Sequence, residues 1–317
     1  MDAWDRLLAR VPRVPLTQTF EYAVALSRTE HSLPRLGLIK VNGKSTGVVQ
    51  VMERKMLGVF HFARIHRGPL WLGADPPLDV QQSVFAALRQ EFPRGLTRWT
   101  TWHPELTAGG DNEETVSRSG FRKVGEGYST IWLDLSRPAG ELRKQLAGNW
   151  RNHLSGAERG PLTVDISTDG REVAWLANLT VADQKARRYR GPSGPLAIRL
   201  RNAFHQQGGV LLLRAMLKPD IAPGDESGEG GGEPEPVAGI LVLRHQRSAT
   251  WLIGWSGPAG RRHHAHTLLL WHAILRLQTL GTRWFDLGGI NPDHAPGLTT
   301  FKRGLGGEEV ALLGSFV

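Results

Sequence analysis

The chain carries one order of elements twice. Around Gly37, "LGLIKV", "TGVVQVMERK" and "MLGVFHFARIHRGPLWL" read as three strands, and Asn42-Gly43 between the first two suits a tight hairpin turn. "VQQSVFAALRQEF" then sets Val80, Val84, Ala87 and Leu88 at helical spacing, and "LTRWTTWHPEL" resumes as a strand. The same order returns later. "VLLLRAML", "VAGILVLRHQ" and "ATWLIGWSGP" are three strands, "HTLLLWHAILRLQTLG" is a helix stopped by Gly281, and "RWFDLGG" is the next strand. Both halves therefore read strand, strand, strand, Gly-Pro, helix, strand. That plan predicts a duplicated α+β domain built on mixed, mostly antiparallel sheets.

A mainly helical stretch separates the halves. In "GELRKQLAGNWRNHLSGAERG", Leu142, Leu146, Trp150 and Leu154 form one apolar face, with basic residues mostly around the others. The tract "KPDIAPGDESGEGGGEPEPVAG" is too poor in apolar residues to order itself, and we expect a flexible insert over 218–236 without catalytic residues. The expected division is a first domain over 1–135, a second over 136–300, and a closing segment over 301–317 that returns to the first.

Composition limits the function classes. An apolar content of 40% with 11 tryptophans supports packed cores, and 317 residues suit about two domains of roughly 150 residues. With no cysteine, neither a disulfide framework nor a thiolate metal site can form. "MDAWDRLLARVPRVPLTQTF" lacks the apolar segment of a signal peptide, and no apolar run approaches the roughly 18 residues of a membrane span. The expectation is a cytoplasmic protein. A formal charge of +9 would draw in polyanions such as RNA, nucleotide diphosphates or the inner face of a membrane.

Several chemistries lack their motifs. No His-Glu-x-x-His occurs among the 12 histidines, and His263, His264 and His266 stand beside two arginines that disfavour a cation, so no metal is expected. Arg261 and Arg262 at the start of a helix suit phosphate better, because free N–H groups and the helix dipole add to their charge. Neither a Gly-x-Ser-x-Gly elbow nor a Walker loop is present.

The three-strands-then-helix plan resembles the GNAT acyltransferase fold. "GPAGRRHHAH" holds Gly257 and Gly260 where acetyl-CoA-dependent members carry Arg/Gln-x-x-Gly-x-Gly/Ala, but at a different spacing, which counts against acetyl-CoA as donor. With two such domains the chain resembles the Fem family of tandem-GNAT enzymes. "TQTFEY", "ARIHRGPLW", "TTWHPEL", "LRKQLAGNWRNHLSGAERGPLTV" and above all "WFDLGGI...GLTTFKRGLGGE" carry the likeness across almost the whole chain.

The resemblance implies transfer of an amino acid from aminoacyl-tRNA to the peptide of a peptidoglycan precursor, with charged tRNA as co-substrate and no bound cofactor. It places Lys302 at the donor end, where an ammonium holds phosphate or offsets developing charge, with Phe301 packed alongside. Asp286 is expected to fix the Gly288-Gly289 turn, with catalytic acid or base work as the alternative. His103 stands where the family has an acid and could take a proton from the attacking amine near neutral pH. Arg67, Arg199, Arg261 and Arg262 are the expected substrate contacts, Arg67 toward an acceptor phosphate. The family's acceptor-binding lysine aligns with Leu26, which puts the peptidoglycan acceptor in question more than the transfer chemistry. Two other readings stay open: an acyl-CoA or acyl-carrier N-acyltransferase acting on a sugar amine or small metabolite, and a non-catalytic polyanion-binding protein.

Overall fold

The computed structural model describes residues 2–189, 191–218 and 234–317. Positions 219–233 of the expected insert lie outside the described residues. The first half runs α1 (Asp2–Leu8), α2 (Phe20–Glu30), β1 (Leu33–Val41), β2 (Lys44–Met56), β3 (Phe60–His66), β4 (Leu70–Trp71), α3 (Leu78–Glu91), β5 (Arg98–His103), α4 (Asn112–Arg118) and β6 (Lys123–Gly125). There follow β7 (Ser129–Asp134), α5 (Ala139–Gln145), α6 (Gly148–Glu158), β8 (Leu162–Ser167), α7 (Val173–Arg187), α8 (Gly194–His205), β9 (Val210–Leu217), β10 (Glu235–His245) and β11 (Ser248–Ser256). The chain closes with α9 (Pro258–Arg262), α10 (Ala265–Thr279), β12 (Trp284–Ile290), α11 (Pro296–Arg303), β13 (Glu308–Ala311) and β14 (Ser315–Phe316).

Two sheets result. The first has the order β1-β2-β3-β5-β14-β6 with β4 beside β2, and the second β13-β7-β12-β11-β10-β9-β8. Pairing is antiparallel throughout except at β3–β5 and β11–β12, which are parallel and occupy the same place in the repeat. Asn42 (φ 50°) and Gly43 (φ 77°) make the expected two-residue turn between Val41 and Lys44.

The run "GILVL" in β10 is continuously apolar because both faces of that strand are covered. Ile240 and Val242 join the core under α6 and α10, while Leu241 and Leu243 join the core under α7 and α8. Helix α10 buries Leu268, Leu269 and Leu270 together, being enclosed between the sheet and α6 rather than lying on the surface.

Two boundaries differ from the expectation. Strand β7 falls inside 1–135 yet pairs with β12 and β13, so it belongs to the second sheet. In the closing segment only β14 reaches the first sheet, through β5 and β6, while β13 stays with the second. The basic helix over 141–160 is two helices. Leu146 is extended (ψ 141°), Ala147 N donates to Gly304 O at 2.9 Å, and Arg151 Nη1 covers the freed Leu146 carbonyl at 2.8 Å. Its apolar face is kept, with Leu146, Trp150 and Leu154 all buried.

The halves share side chains. Leu16 and Ala25 of the N-terminal segment sit in the core of α7 and α8, and Val14 N donates to Ser248 Oγ at 3.2 Å. Gln18, fully buried, locks the first sheet to this segment. Its Nε2 donates to His66 O at 2.6 Å and Gln50 O at 3.3 Å, and its Oε1 accepts from Gln50 N at 2.9 Å. Among the described residues no helix is long and apolar enough to cross a membrane.

Replacing Gln18 with Leu keeps the volume but takes the acceptor from Gln50 N, while His66 O keeps only the Thr17 hydroxyl at 3.2 Å. The expected cost is about 1–3 kcal/mol, read as a lower urea midpoint at unchanged m-value. An unchanged midpoint would show that these bonds do not hold the segment.

Candidate functional site

The parallel pair β11–β12 opens. Ser248, Ala249 and Thr250 pair with Trp284, Phe285 and Asp286, and the pairing ends there. Beyond it β12 bulges against β7 between Asp286 and Gly289, and Gly288 adopts φ +75°. A Cβ at Gly288 would stand 3.1 Å from Trp251 O in a left-handed conformation, so this turn requires glycine.

Asp286 fixes the bulge. Its Oδ1 accepts from Gly288 N at 2.9 Å and from the Thr130 hydroxyl of β7, and its Oδ2 accepts from Arg67 Nη1 at 3.0 Å. Both oxygens are engaged in a buried position, an arrangement that fixes the Gly288-Gly289 turn.

Arg67 comes from the other sheet. It follows β3 at φ +52°, held there by N–H donation to His103 O at 2.7 Å. Its guanidinium meets Glu105 in a two-pronged pair, Nε at 2.6 Å and Nη2 at 2.8 Å, before reaching Asp286. Burial opposes its charge, yet Glu105 and then Asp286 hold its pKa above the ordinary arginine value. The expected role at an acceptor phosphate is therefore corrected: two carboxylates already occupy the fork, and a phosphate would have to displace them. Glu105 and Thr130 escaped the sequence reading, although Glu105 stands in the quoted "TTWHPEL".

Lys302 lies where the strands part. Helix α11 carries it inward to 5% exposure, with Nζ donating to Gly289 O at 2.8 Å and 5.0 Å from the Trp251 ring centre. Burial lowers its pKa to about 8, against the pull of Asp286. It is a cation at neutral pH without a carboxylate bonded to it among the described residues. Phe301, its neighbour, turns to Trp150 of α6 at 5.8 Å and anchors α11 on the second core. That makes Phe301 a positioning residue, not a catalytic one.

His103 ends β5 beside His66, rings edge-on at 4.6 Å, and its Nδ1 contacts Ser315 Oγ at 2.9 Å. Burial, then Arg64, lowers its pKa, so it is neutral at pH 7. Among the described residues no hydrogen bond or ion pair joins His103 to Lys302 directly. The path between them runs through the Arg67 backbone and guanidinium to Asp286.

The arginine contacts are dispersed. Arg262 is exposed on α9, while Arg261 bends back to donate to Ser256 O. Arg199 is exposed on α8, on the sheet face opposite α10, and does not join them. Gly260 sits against β10, where a Cβ would come within 2.5 Å of Val237 O, so its conformation serves packing. Leu26 is buried beside Ala23 and Met52, where no substrate phosphate reaches. Of the three histidines near this loop, His264 stacks on His153 at 4.0 Å and His266 is half-buried edge-on to Trp251, and no group of three His, Asp or Glu among the described residues is placed to hold a metal.

The comparisons with known proteins agree with this architecture. The profile of the acetyltransferase (GNAT) domain matches residues 141–303. No curated protein matches the chain. Among solved structures, FemX is 15% identical and superposes with a TM-score of 0.79, covering 99% of this chain and 94% of its own. A tandem GNAT protein from the clavulanic acid biosynthesis pathway is 13% identical (TM-score 0.54, 99% and 92% covered). The C-terminal domain of a putative lysylphosphatidylglycerol synthetase from Agrobacterium fabrum is 13% identical (TM-score 0.54, 93% and 86% covered). At these identities the likeness establishes a shared tandem-GNAT fold over the whole chain.

The buried lysine gives a pH signature. Folded Lys302 releases its proton near pH 8, whereas an unfolded lysine keeps it to about 10.5. Between these values the unfolded state binds more protons, so stability rises with pH by up to about 1.4 kcal/mol per unit. Lys302→Met lacks this contribution. The wild-type protein should gain about 2 kcal/mol on the variant between pH 7.5 and 10 in parallel urea titrations. A constant gap would mean that the ammonium is not buried.

Proposed function

The chain belongs to the acetyltransferase (GNAT) domain family, and on that premise we propose that it transfers an aminoacyl group from charged tRNA to an amine acceptor, forming an amide. The observation that carries this reading is the buried Lys302 ammonium at the point where β11 and β12 separate. An acyl group lying between the parted strands would bring its carbonyl beside that cation.

The chemistry fits the groups present. The acceptor nitrogen attacks the ester carbonyl, the C–N bond forms, the C–O bond to the ribose breaks, and negative charge develops first on the carbonyl oxygen and then on the leaving oxygen. A preorganised ammonium in a site shielded from water stabilises both. Neutral His103 is the group proposed to receive the amine's proton. Arg262, exposed on α9 just past the end of β11, is proposed to meet the donor's phosphates. Gly260 is committed to packing and Arg261 to Ser256 O, which favours a donor other than acyl-CoA. For the acceptor, the amine of a peptidoglycan precursor peptide is the substrate the Fem resemblance favours, with the contact at its phosphate supplied by residues other than Arg67 and Leu26.

Two experiments test the reading. With a charged-tRNA pool and candidate amine acceptors, product should form and should vanish after RNase treatment; product from acetyl-CoA without tRNA would replace this donor by acyl-CoA. Lys302→Met should lower transfer at least about 100-fold while the circular dichroism spectrum is unchanged. In the wild-type enzyme the rate should fall as pH rises through about 8, where Lys302 loses its charge. A Lys302→Met enzyme with full turnover would remove the lysine from the mechanism.

A further inference from the structure

The parallel strands β3 and β5 end at His66 and His103, and they begin at a surface of a different kind. At that beginning Leu57 is 85% exposed and Val59 61% exposed in the β2–β3 turn, and Leu96 is 96% exposed in the loop before β5. His61 N donates to Thr97 O at 2.8 Å, so the two loops stand side by side. Behind them Phe60 and Phe62 close on Trp99 at ring distances of 5.7 and 5.0 Å.

The turn itself is costly for the residue it holds. Leu57 (φ 52°) and Gly58 (φ 70°) take the left-handed pair of conformations that Asn42-Gly43 takes in the preceding hairpin. Asparagine tolerates that position, whereas leucine is strained there and, at this exposure, gains almost no packing in return. A large apolar side chain held at such a cost points to contact outside the chain.

Basic residues rim it, and Glu53 beyond them is paired with His61 at 3.2 Å. Arg54, Lys55, Arg94 and Arg98 are exposed, and segments 54–60 and 94–99 contain no acid. Among the described residues none of the four has a carboxylate within ion-pair distance. Outermost aliphatic tips, recessed aromatics and a basic rim match a lipid surface, where leucines enter the headgroup layer and cations meet lipid phosphates. Base stacking on single-stranded RNA would need the aromatics foremost, and here Phe60 and Phe62 are half-buried and Trp99 is 36% exposed, against 85% for Leu57 and 96% for Leu96.

We propose that this end of the first sheet docks on an anionic lipid bilayer through Leu57, Val59 and Leu96, with Arg54, Lys55, Arg94 and Arg98 on the phosphates. The six residue steps of β3 would then hold His66 and His103 about 20 Å above the membrane plane. The proposal rests on the surface alone and stands whether the donor is aminoacyl-tRNA or acyl-CoA.

The test is flotation of the full chain with phosphatidylcholine vesicles containing about 30% phosphatidylserine, beside pure phosphatidylcholine vesicles. The protein should float with the anionic vesicles and release as salt is raised. Combining Leu57→Glu with Leu96→Glu, both at positions exposed enough to leave folding intact, should weaken vesicle affinity at least about tenfold. The proposal is overturned if the wild-type chain stays unbound to anionic vesicles, or if the double variant floats equally well. It is also overturned if the variant loses only RNA binding or self-association, measured by gel shift and light scattering, with vesicle binding unchanged.

Discussion

The Arg67 guanidinium reaches from the first sheet to the second, and the site takes its shape from it. It reaches from the end of β3 to Asp286 on β12 while Glu105, just past β5, holds its other edge. A buried ion cluster of this kind is a weak source of net stability, because removing three charges from water costs several kcal/mol each. Its value is geometric. With Arg67 in place, Asp286 has a fixed orientation, and with Asp286 fixed, Thr130 and Gly288 N are bonded and the bulge that opens β12 from β11 is set.

Lys302 depends on that opening. An ammonium so deeply placed needs a carbonyl to receive it and a nearby negative charge to moderate its desolvation, and Gly289 O and Asp286 supply them. Phe301 on Trp150 and the close seat of Gly304 on the same indole keep α11 docked, so that the lysine enters from one direction. The site is thus a single cation positioned by bulge, helix and inter-sheet ion cluster together.

Much of the fold was legible because its signals are local. Alternation and spacing marked both sets of strands, Asn42-Gly43 marked a turn that needs two positive φ values, and Gly281 marked the end of α10. What could not be read was pairing at a distance. Nothing in "STIWLD" says that β7 joins the second sheet rather than the first, since its partners lie some 150 residues later. For the same reason Arg67 looked available for phosphate: its partners Glu105 and Asp286 come from the segment after β5 and from β12, and only the assembled fold brings them to it. Lys302 and Asp286 were identifiable by resemblance in one contiguous block, yet the burial of the lysine over Trp251 required the sheet to exist. The break between α5 and α6 was hidden too, because Leu146 continues the apolar spacing while Gly304 O draws the backbone of Ala147 out of the helix.

The claim that the ion cluster joins the two halves and sets the site is tested most directly by a double-mutant cycle of Arg67→Met and Asp286→Asn. If the two groups act through one another, the unfolding free energies should couple by about 2 kcal/mol or more, since the second substitution removes a charge the first has already stranded. Additivity within about 0.5 kcal/mol would contradict the account.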